Sequence, residues 1–302
     1  MNHIKNVILC KMKFCLIFLL FLIPSVSAAD SADIIGGEST YVVRDGDSLS
    51  LISSRLGTTV AAIVSKNHID AKKPIHKGQE LTVNTRKILP MTLDNGIVIN
   101  IPDRMLYFFH DGKLELYFPV GLGRPPSKGS RNWSTPLGTF VVLRKEKNPT
   151  WYVPESIRKE LEAQGKPVQP IVPPGPENPL GRYAMKISMQ WVLIHETIAP
   201  ASVYTFRSHG CIRVMPEHIK QLFEKVELNT QGELIYKPVK AAVSDQGRIF
   251  LEVHKDIYGK IKDLKGEALK VIEKLGVPEK VDWEKVDSML REKSGIAEDI
   301  TL

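Results

Sequence analysis

Cysteine is nearly absent from the sequence: 302 residues hold three, and two of these, Cys10 and Cys15, lie close to the N-terminus. If that end is removed on export, Cys211 remains alone and no internal disulfide can form. One cysteine with scattered histidines gives no basis for a zinc site, so neither a metal nor another cofactor is expected. Long apolar runs are missing too. The run Phe14–Ile23 covers about ten residues, where a membrane-spanning helix needs roughly twenty. Nor is there a large excess of one charge. The balance is 41 − 34 = +7, and residues 1–29 contain Lys5, Lys11 and Lys13 without an acid, leaving 7 − 3 = +4 for the rest. That is too mild to argue for nucleic acid. No internal repeat is visible. What is present is an ordinary globular composition, 43% apolar and 25% charged, long enough for more than one compact unit.

The N-terminus places basic residues before the apolar run, then Pro24 and the small residues Val26-Ser27-Ala28-Ala29. This is the layout of a secretory signal over residues 1–29, with cleavage expected after Ala28 or Ala29 and an exported, periplasmic or cell-envelope location. A flexible lead follows. From Tyr41 to Asn84 the order reads strand, helix, helix, strand: Tyr41-Val42-Val43, a turn at Asp45-Gly46-Asp47, a helix capped by Ser48, a stop at Gly57, a helix capped by Thr58 or Thr59, and a closing strand at Leu81-Thr82-Val83. The segments YVVRDGDSLSLISSRLGTTVAAIVSKNHI and IHKGQELTV resemble a LysM module, assigned to residues 39–84. The resemblance implies binding of N-acetylglucosamine-containing glycans, here peptidoglycan, by Gly46, Asp47 and Ser48 in one loop and Asn67, His68 and Ile69 in the other.

Beyond a short basic linker the pattern becomes mainly β, with apolar runs at Gly96–Ile101, Met105–Phe109, Leu114–Val120, Thr139–Leu143 and Trp191–His195. Asp111-Gly112 between two of them is a hairpin signal. The proline-rich stretch Pro149–Gly181 forbids regular structure apart from one helix near Glu155–Ala163, and its position between strands reads as a lid. Residues 241–302 are expected to be a largely helical extension. The fold expected is therefore multidomain and mainly β: a small βααβ module, a mixed, mostly β domain over 94–240, and C-terminal helices.

The segment with chemical content runs from Ile194-His195-Glu196-Thr197 to Arg207-Ser208-His209-Gly210-Cys211-Ile212-Arg213-Val214. A glycine before a cysteine permits a backbone that aims consecutive N–H groups at one point, as an oxyanion site requires. A thiol with an ordinary pKa near 8.5 needs a base or a neighbouring cation to act as nucleophile. His209 lies two residues from Cys211, on the same face of an extended segment. His195, at the end of a buried-looking strand, approaches from across the loop and is the preferred general base and acid. The alternative for such a pair is a buried thiol beside a satisfied histidine. A papain-like or NlpC-type peptidase would place its cysteine before its histidine, the reverse of the order here.

The stretch IHETIAPASVYTFRSHGCIRV resembles the signature of YkuD-type L,D-transpeptidases. Thr135–Phe140, Asn148-Pro149-Thr150-Trp151 and Gly175–Gly181 add to the match, and with the LysM module they resemble in particular the ErfK/YbiS/YcfS/YnhG group. The resemblance implies that Cys211 attacks the diaminopimelate–D-alanine bond of a tetrapeptide stem and forms a thioester. An amine acceptor, a stem diaminopimelate or the lysine of a Braun-type lipoprotein, then resolves it. It further implies an oxyanion pocket from His209, Gly210 and Cys211, with Ser208 orienting the loop and Arg213 pairing with a stem carboxylate. Glu196 stands where the family usually has glycine, which bears on the acceptor side. The competing readings are an L,D-carboxypeptidase or D-amino-acid exchange enzyme, and a non-catalytic peptidoglycan-binding wall protein.

Overall fold

A computed structural model describes residues 34–129 and 131–302, so the leader expected at 1–29 lies outside the described residues. The chain begins with strands β1 (Ile34–Ile35) and β2 (Glu38–Val42), helices α1 (Leu49–Leu56) and α2 (Val60–Asn67), and strands β3 (Glu80–Asn84) and β4 (Lys87–Ile88). β2 and β3 pair antiparallel with Tyr41 opposite Leu81, giving the strand-helix-helix-strand order of a LysM module. Local chemistry sets the helix limits. Ser48 Oγ accepts the Leu51 N–H at 3.2 Å and Thr59 Oγ1 accepts that of Ala62 at 3.1 Å, each satisfying an amide that the helix leaves open. Gly57 at φ 68° ends α1. Val43, Ile52, Ile63, Leu81 and Val83 close over one another as this module's core.

The middle of the chain forms strands β5 (Gly96–Asn100), β6 (Met105–His110), β7 (Lys113–Gly123), β8 (Gly138–Lys147) and β9 (Trp151–Tyr152), helix α3 (Glu155–Ala163), and strands β10 (Ile171–Val172), β11 (Tyr183–Ile187), β12 (Leu193–Glu196), β13 (Phe206–Ser208) and β14 (Ile212–Val214), then α4 (Pro216–Lys225) and β15 (Gln231–Ile235). Nine of these strands make one sheet in the order β13-β7-β14-β12-β11-β8-β15-β5-β6, and a further β6–β7 pairing curls it back on itself like a barrel. The expected hairpin joins β6 to β7. Asp111 and Gly112 both have positive φ, 49° and 69°, the backbone that matches the twist of the flanking strands. Inside the curl Ile97, Leu106, Phe118, Val120, Phe140, Ile194 and Ile212 pack with Ile219 and Leu222 of α4.

The proline-rich stretch is folded. β9 and β10 pair antiparallel, α3 sits between them in sequence, and the buried Asn178 ties the returning chain down by donating to Pro149 O at 2.8 Å and accepting the Leu180 N–H at 2.9 Å. Past β15, an antiparallel sheet of β16 (Val239–Val243), β17 (Ile249–Val253) and, after helices α5 (Leu264–Glu273) and α6 (Trp283–Glu292), β18 (Ala297–Asp299) forms a separate core with those helices. Both helices begin where aspartate caps them, Asp263 and Asp282. The expected C-terminal helices are thus present, but residues 241–302 are a sheet bearing two helices rather than a largely helical extension. Among the described residues no helix is long and apolar enough to cross a membrane.

Candidate active site

β12 and β14 run parallel, with Ile194 beside Ile212 and His195 beside Arg213. Paired residues in a parallel ladder project to the same face, and so do residues two apart along a strand. His195, Arg213 and Cys211 are therefore brought to one face, joined through the short turn Ser208-His209-Gly210-Cys211. Gly210 has φ 107°, a conformation that disfavours any side chain. A Cβ there would meet nothing closer than 3.7 Å, so backbone conformation rather than crowding calls for glycine.

Side chains from distant parts of the chain fix this turn. Ser208 Oγ accepts the Gly210 N–H at 3.1 Å and donates to Cys211 O at 2.6 Å. Thr135 Oγ1 accepts the Gly123 N–H at 2.9 Å and donates to Gly210 O at 3.1 Å. Tyr258, beyond the barrel strands, donates from its hydroxyl to Gly123 O at 2.7 Å and accepts the Thr135 N–H at 3.2 Å. Ser208 thus bonds both to Gly210 and to Cys211 within the turn, and the Gly210 N–H, expected at the oxyanion site, is given to Ser208 Oγ.

His195 is buried, and its Nδ1 lies 2.6 Å from Glu196 O. A carbonyl only accepts, so Nδ1 carries the hydrogen and Nε2 of the neutral ring keeps a lone pair. Burial pushes the imidazole down to about 4, against a smaller upward pull from the Glu196 carbonyl. Cys211 is half-buried and its Sγ donates to Trp191 O at 3.6 Å. Burial raises the thiol, while the Leu193 N–H and the Arg213 guanidinium pull it the other way. A raised thiol beside a depressed imidazole is a neutral pair at rest, suited to proton transfer during attack rather than to a standing thiolate. Trp191, whose carbonyl holds the thiol, has φ 66° and leaves its side chain 73% exposed at the site.

Glu196 turns away from this face. Its carboxylate accepts from Arg182 Nε at 3.1 Å, and a Cβ on Gly181 would strike the Glu196 side chain at 2.5 Å. Adjacent strand residues point to opposite faces, so the glutamate occupies the far side of β12 and not the space beside His195. His209 is likewise turned from Cys211, its Nε2 lying 3.1 Å from Glu160 Oε2 on α3 and its ring edge-on to Trp133. Thr135, Glu160, Trp191 and Tyr258 were not among the expected site residues. Only Thr135 carried a signal, as part of a quoted motif.

One group among the described residues has metal-ligand spacing: Asp103, Glu252 and His254, with ligand atoms within 4.8 Å of one another. Lys240 Nζ lies 2.7 Å from Asp103 Oδ2 and 3.1 Å from Glu252 Oε2, so an ammonium already supplies the positive charge those carboxylates require.

The residues expected to hold glycan divide differently. The Asp47 side chain is only 2% exposed, its carboxylate taking Tyr41 OH at 2.7 Å, the Arg44 N–H at 2.9 Å and Arg55 Nη1 at 3.0 Å. Ser48 is the α1 cap, and Asn67 donates to Ile63 O and Thr82 O at 2.8 Å while accepting the Thr82 N–H at 2.7 Å. These side chains are spent on the module itself. Gly46 and His68 adopt positive φ, 77° and 51°, at the two loop ends, and of the six only Gly46, His68 and Ile69 keep side-chain or backbone surface uncommitted to such bonds. Asn67→Ala should therefore cost about 1–3 kcal/mol of stability through the unpaired Thr82 groups. Thermal unfolding checks the loss, and glycan affinity measured well below the transition should stay unchanged.

Residues 94–240 match the family model YkuD, the L,D-transpeptidase catalytic domain, and residues 41–84 match that of the LysM domain. The chain is 33% identical over 226 residues to the probable L,D-transpeptidase YbiS of Escherichia coli K12, covering 72% of each. It is 32% identical over 232 residues to the probable L,D-transpeptidase ErfK/SrfK of the same organism, covering 76% of this chain and 73% of that one. Among solved structures, the Ldtfm–avibactam carbamoyl enzyme is 25% identical, with 48% of this chain and 50% of that chain covered at a TM-score of 0.37.

Proposed function

This chain belongs to the YkuD family of L,D-transpeptidases, and from that membership we propose a two-step acyl transfer on peptidoglycan carried by Cys211 and His195. Cys211 Sγ attacks the carbonyl carbon between the L-centre of diaminopimelate and the terminal D-alanine of a tetrapeptide stem, while His195 Nε2 takes the thiol proton. His195 returns that proton to the nitrogen of the departing D-alanine, the C–N bond breaks and a thioester remains. An acceptor amine then adds to the thioester carbonyl, gives its proton to His195, and expels Sγ, which is reprotonated. The observation that carries this reading is the His195 tautomer. With Nδ1–H committed to Glu196 O at 2.6 Å, the free lone pair is on Nε2, on the face shared with Cys211.

The negative oxygen of each tetrahedral intermediate falls to the backbone N–H groups of Cys211 and His209, since that of Gly210 is engaged by Ser208. Arg213, on the same face, pairs in this reading with a stem carboxylate. The LysM module keeps the enzyme on glycan strands in the cell envelope, after export through removal of residues 1–29. A stem diaminopimelate or a Braun-type lipoprotein lysine serves as acceptor.

Incubating the protein with purified disaccharide tetrapeptide and following products by mass spectrometry tests this. A dimer joined through two diaminopimelates, with one D-alanine lost, is the expected product. Tripeptide alone would shift the assignment to hydrolysis, unless a lipoprotein C-terminal peptide added as acceptor is captured. No turnover by folded protein that still binds glycan would replace the enzyme reading with that of a wall-binding protein.

A further inference from the structure

Beside the nucleophile turn, a cleft of about 590 Å³ opens between the loop starting at Arg124 and helix α3, lined by Arg124, Arg131, Trp133, Lys159 and Glu160 among others. Its size is that of a small-ligand site. Three of these side chains are cationic and one is anionic. Trp133 is the platform: the Arg131 guanidinium lies over its ring at 4.8 Å and that of Arg124 at 5.8 Å, and His209 meets it edge-on at 4.6 Å. Stacking on an aromatic face pre-organises a guanidinium without using its hydrogen-bond donors.

The single carboxylate in the cleft lacks the fork-on-fork fit that an arginine can offer, although Gln164 Nε2 also donates to its Oε1 at 3.4 Å. Both Glu160 oxygens are taken by one nitrogen, Arg124 Nη2, at 2.9 and 3.1 Å, whereas a guanidinium matches a carboxylate best when two nitrogens each meet one oxygen. Arg124 Nε is buried without a partner, a state that costs free energy. Glu160 Oε2 also lies 3.1 Å from His209 Nε2, so the same carboxylate connects α3 to the turn carrying Cys211. Lys159 is tied to the exposed Glu155 at 2.7 Å, an ion pair that water weakens.

We infer that this cleft is a carboxylate-binding subsite in which Glu160 is the resting occupant of Arg124, and that a carboxylate of the peptidoglycan stem replaces it there and takes a second contact from Arg131, which lines the same cleft. The inference rests on the stem peptide as substrate, the reading given above. A stem carboxylate lying across Nε and Nη2 of Arg124 satisfies the orphaned donor. Glu160, once displaced, releases α3 from His209 and admits the substrate to the turn. Of the stem carboxylates, the two nearest the reacting groups are the sources: that of the terminal D-alanine of the donor, and the one next to the amine of the acceptor.

The full chain carrying Cys211→Ala, titrated with tetrapeptide and with its C-terminal carboxamide, reads the first source without any chemistry. The chain with Cys211 intact, given acceptors with a free or an amidated carboxylate, reads the second through the acceptor KM. In one of the two pairs the free acid should be favoured about tenfold. Arg131→Ala should abolish that preference and Arg131→Lys should keep most of it. Glu160→Gln should tighten the free acid severalfold and leave the amide unchanged, a direction that loss of a structural bond would not give. Equal affinities for acid and amide in both pairs, or a preference indifferent to Arg131, would overturn the inference. Absence of a Cys211 thioester in the intact chain would instead overturn the acyl-transfer reading, leaving the binding titration to stand by itself.

Discussion

Cys211→Ala will form no thioester with a tetrapeptide donor, and His195→Gln will fold yet acylate about 10²–10⁴-fold more slowly. The size of the second effect follows from the resting state. Burial raises the thiol and depresses the imidazole to about 4, so no standing thiolate is available to react once the base is gone. Sγ donates instead to Trp191 O at 3.6 Å, an acceptor that cannot carry the proton away. Glutamine keeps a hydrogen bond to the Glu196 carbonyl but offers no basic nitrogen. Single-turnover acylation followed by intact mass checks both variants, and a His195→Gln rate equal to that of the parent would remove His195 from the mechanism. The pH profile makes the assignment sharper. A group whose folded pKa is depressed keeps its neutral form down to that value, so the acid limb of acylation belongs near pH 4, and not near the 6.5 of an ordinary imidazole. The same displacement makes His195 a stability term that is complete above about 6.5 and is lost as pH falls toward 4. That slope should weaken in His195→Gln by the share of this one group, the remainder belonging to His209, His218 and His254, which burial also depresses.

The placement of Cys211 and His195 on one face was legible because they sit in a contiguous motif whose glycine and two strands bring them together over a short loop. The βααβ module was legible for the same reason: Ser48, Gly57 and Thr59 are local punctuation with local physics. What failed to show was set by contacts across the chain. Tyr258 reaches Gly123 and Thr135 from 135 and 123 positions away, and Glu160 reaches His209 across 49. No spacing rule registers such pairings. The motif residues Asp47 and Asn67 invite a ligand role, yet their polar atoms satisfy their own module, a competition between caps and sites that only geometry decides. The C-terminal sheet was only partly hidden by composition. Its central strand β17 reads IFLEV, a strand-like run, but β16 reads VKAAV and β18 is three residues, AED, so the run had no evident partner strands and the helical periodicity of the intervening segment dominated.

The strongest stability effect is expected at Lys240, where the C-terminal sheet meets the barrel. Lys240 is almost fully buried, and its ammonium gives one hydrogen bond each to Asp103 Oδ2 at 2.7 Å, Ile88 O at 2.7 Å and Glu252 Oε2 at 3.1 Å. Asp103 is held in turn by Asn100 Nδ2 at 3.0 Å and Tyr107 OH at 3.1 Å, and Glu252 by the Ile88 N–H at 2.7 Å and His254 Nε2 at 2.6 Å. Lys87, also buried, donates to Gly295 O. Two lysines and two carboxylates balance, and they join the linker strand β4, the barrel and the C-terminal sheet at one point. Depressed Glu252, at about 2, and raised Lys240 both report the pairing. Lys240→Met removes one ion and leaves two buried carboxylates with Lys87 as their one remaining cation, a loss of about 3–5 kcal/mol. Adding Asp103→Asn removes the excess negative charge and should recover most of that loss, because the cost lies in an unpaired buried ion rather than in the absence of an attraction. Chemical denaturation of the single and double variants checks the order. A Lys240→Met chain within about 1 kcal/mol of the parent, or a double variant weaker than the single, would mean that the ion cluster does not hold the C-terminal sheet to the barrel.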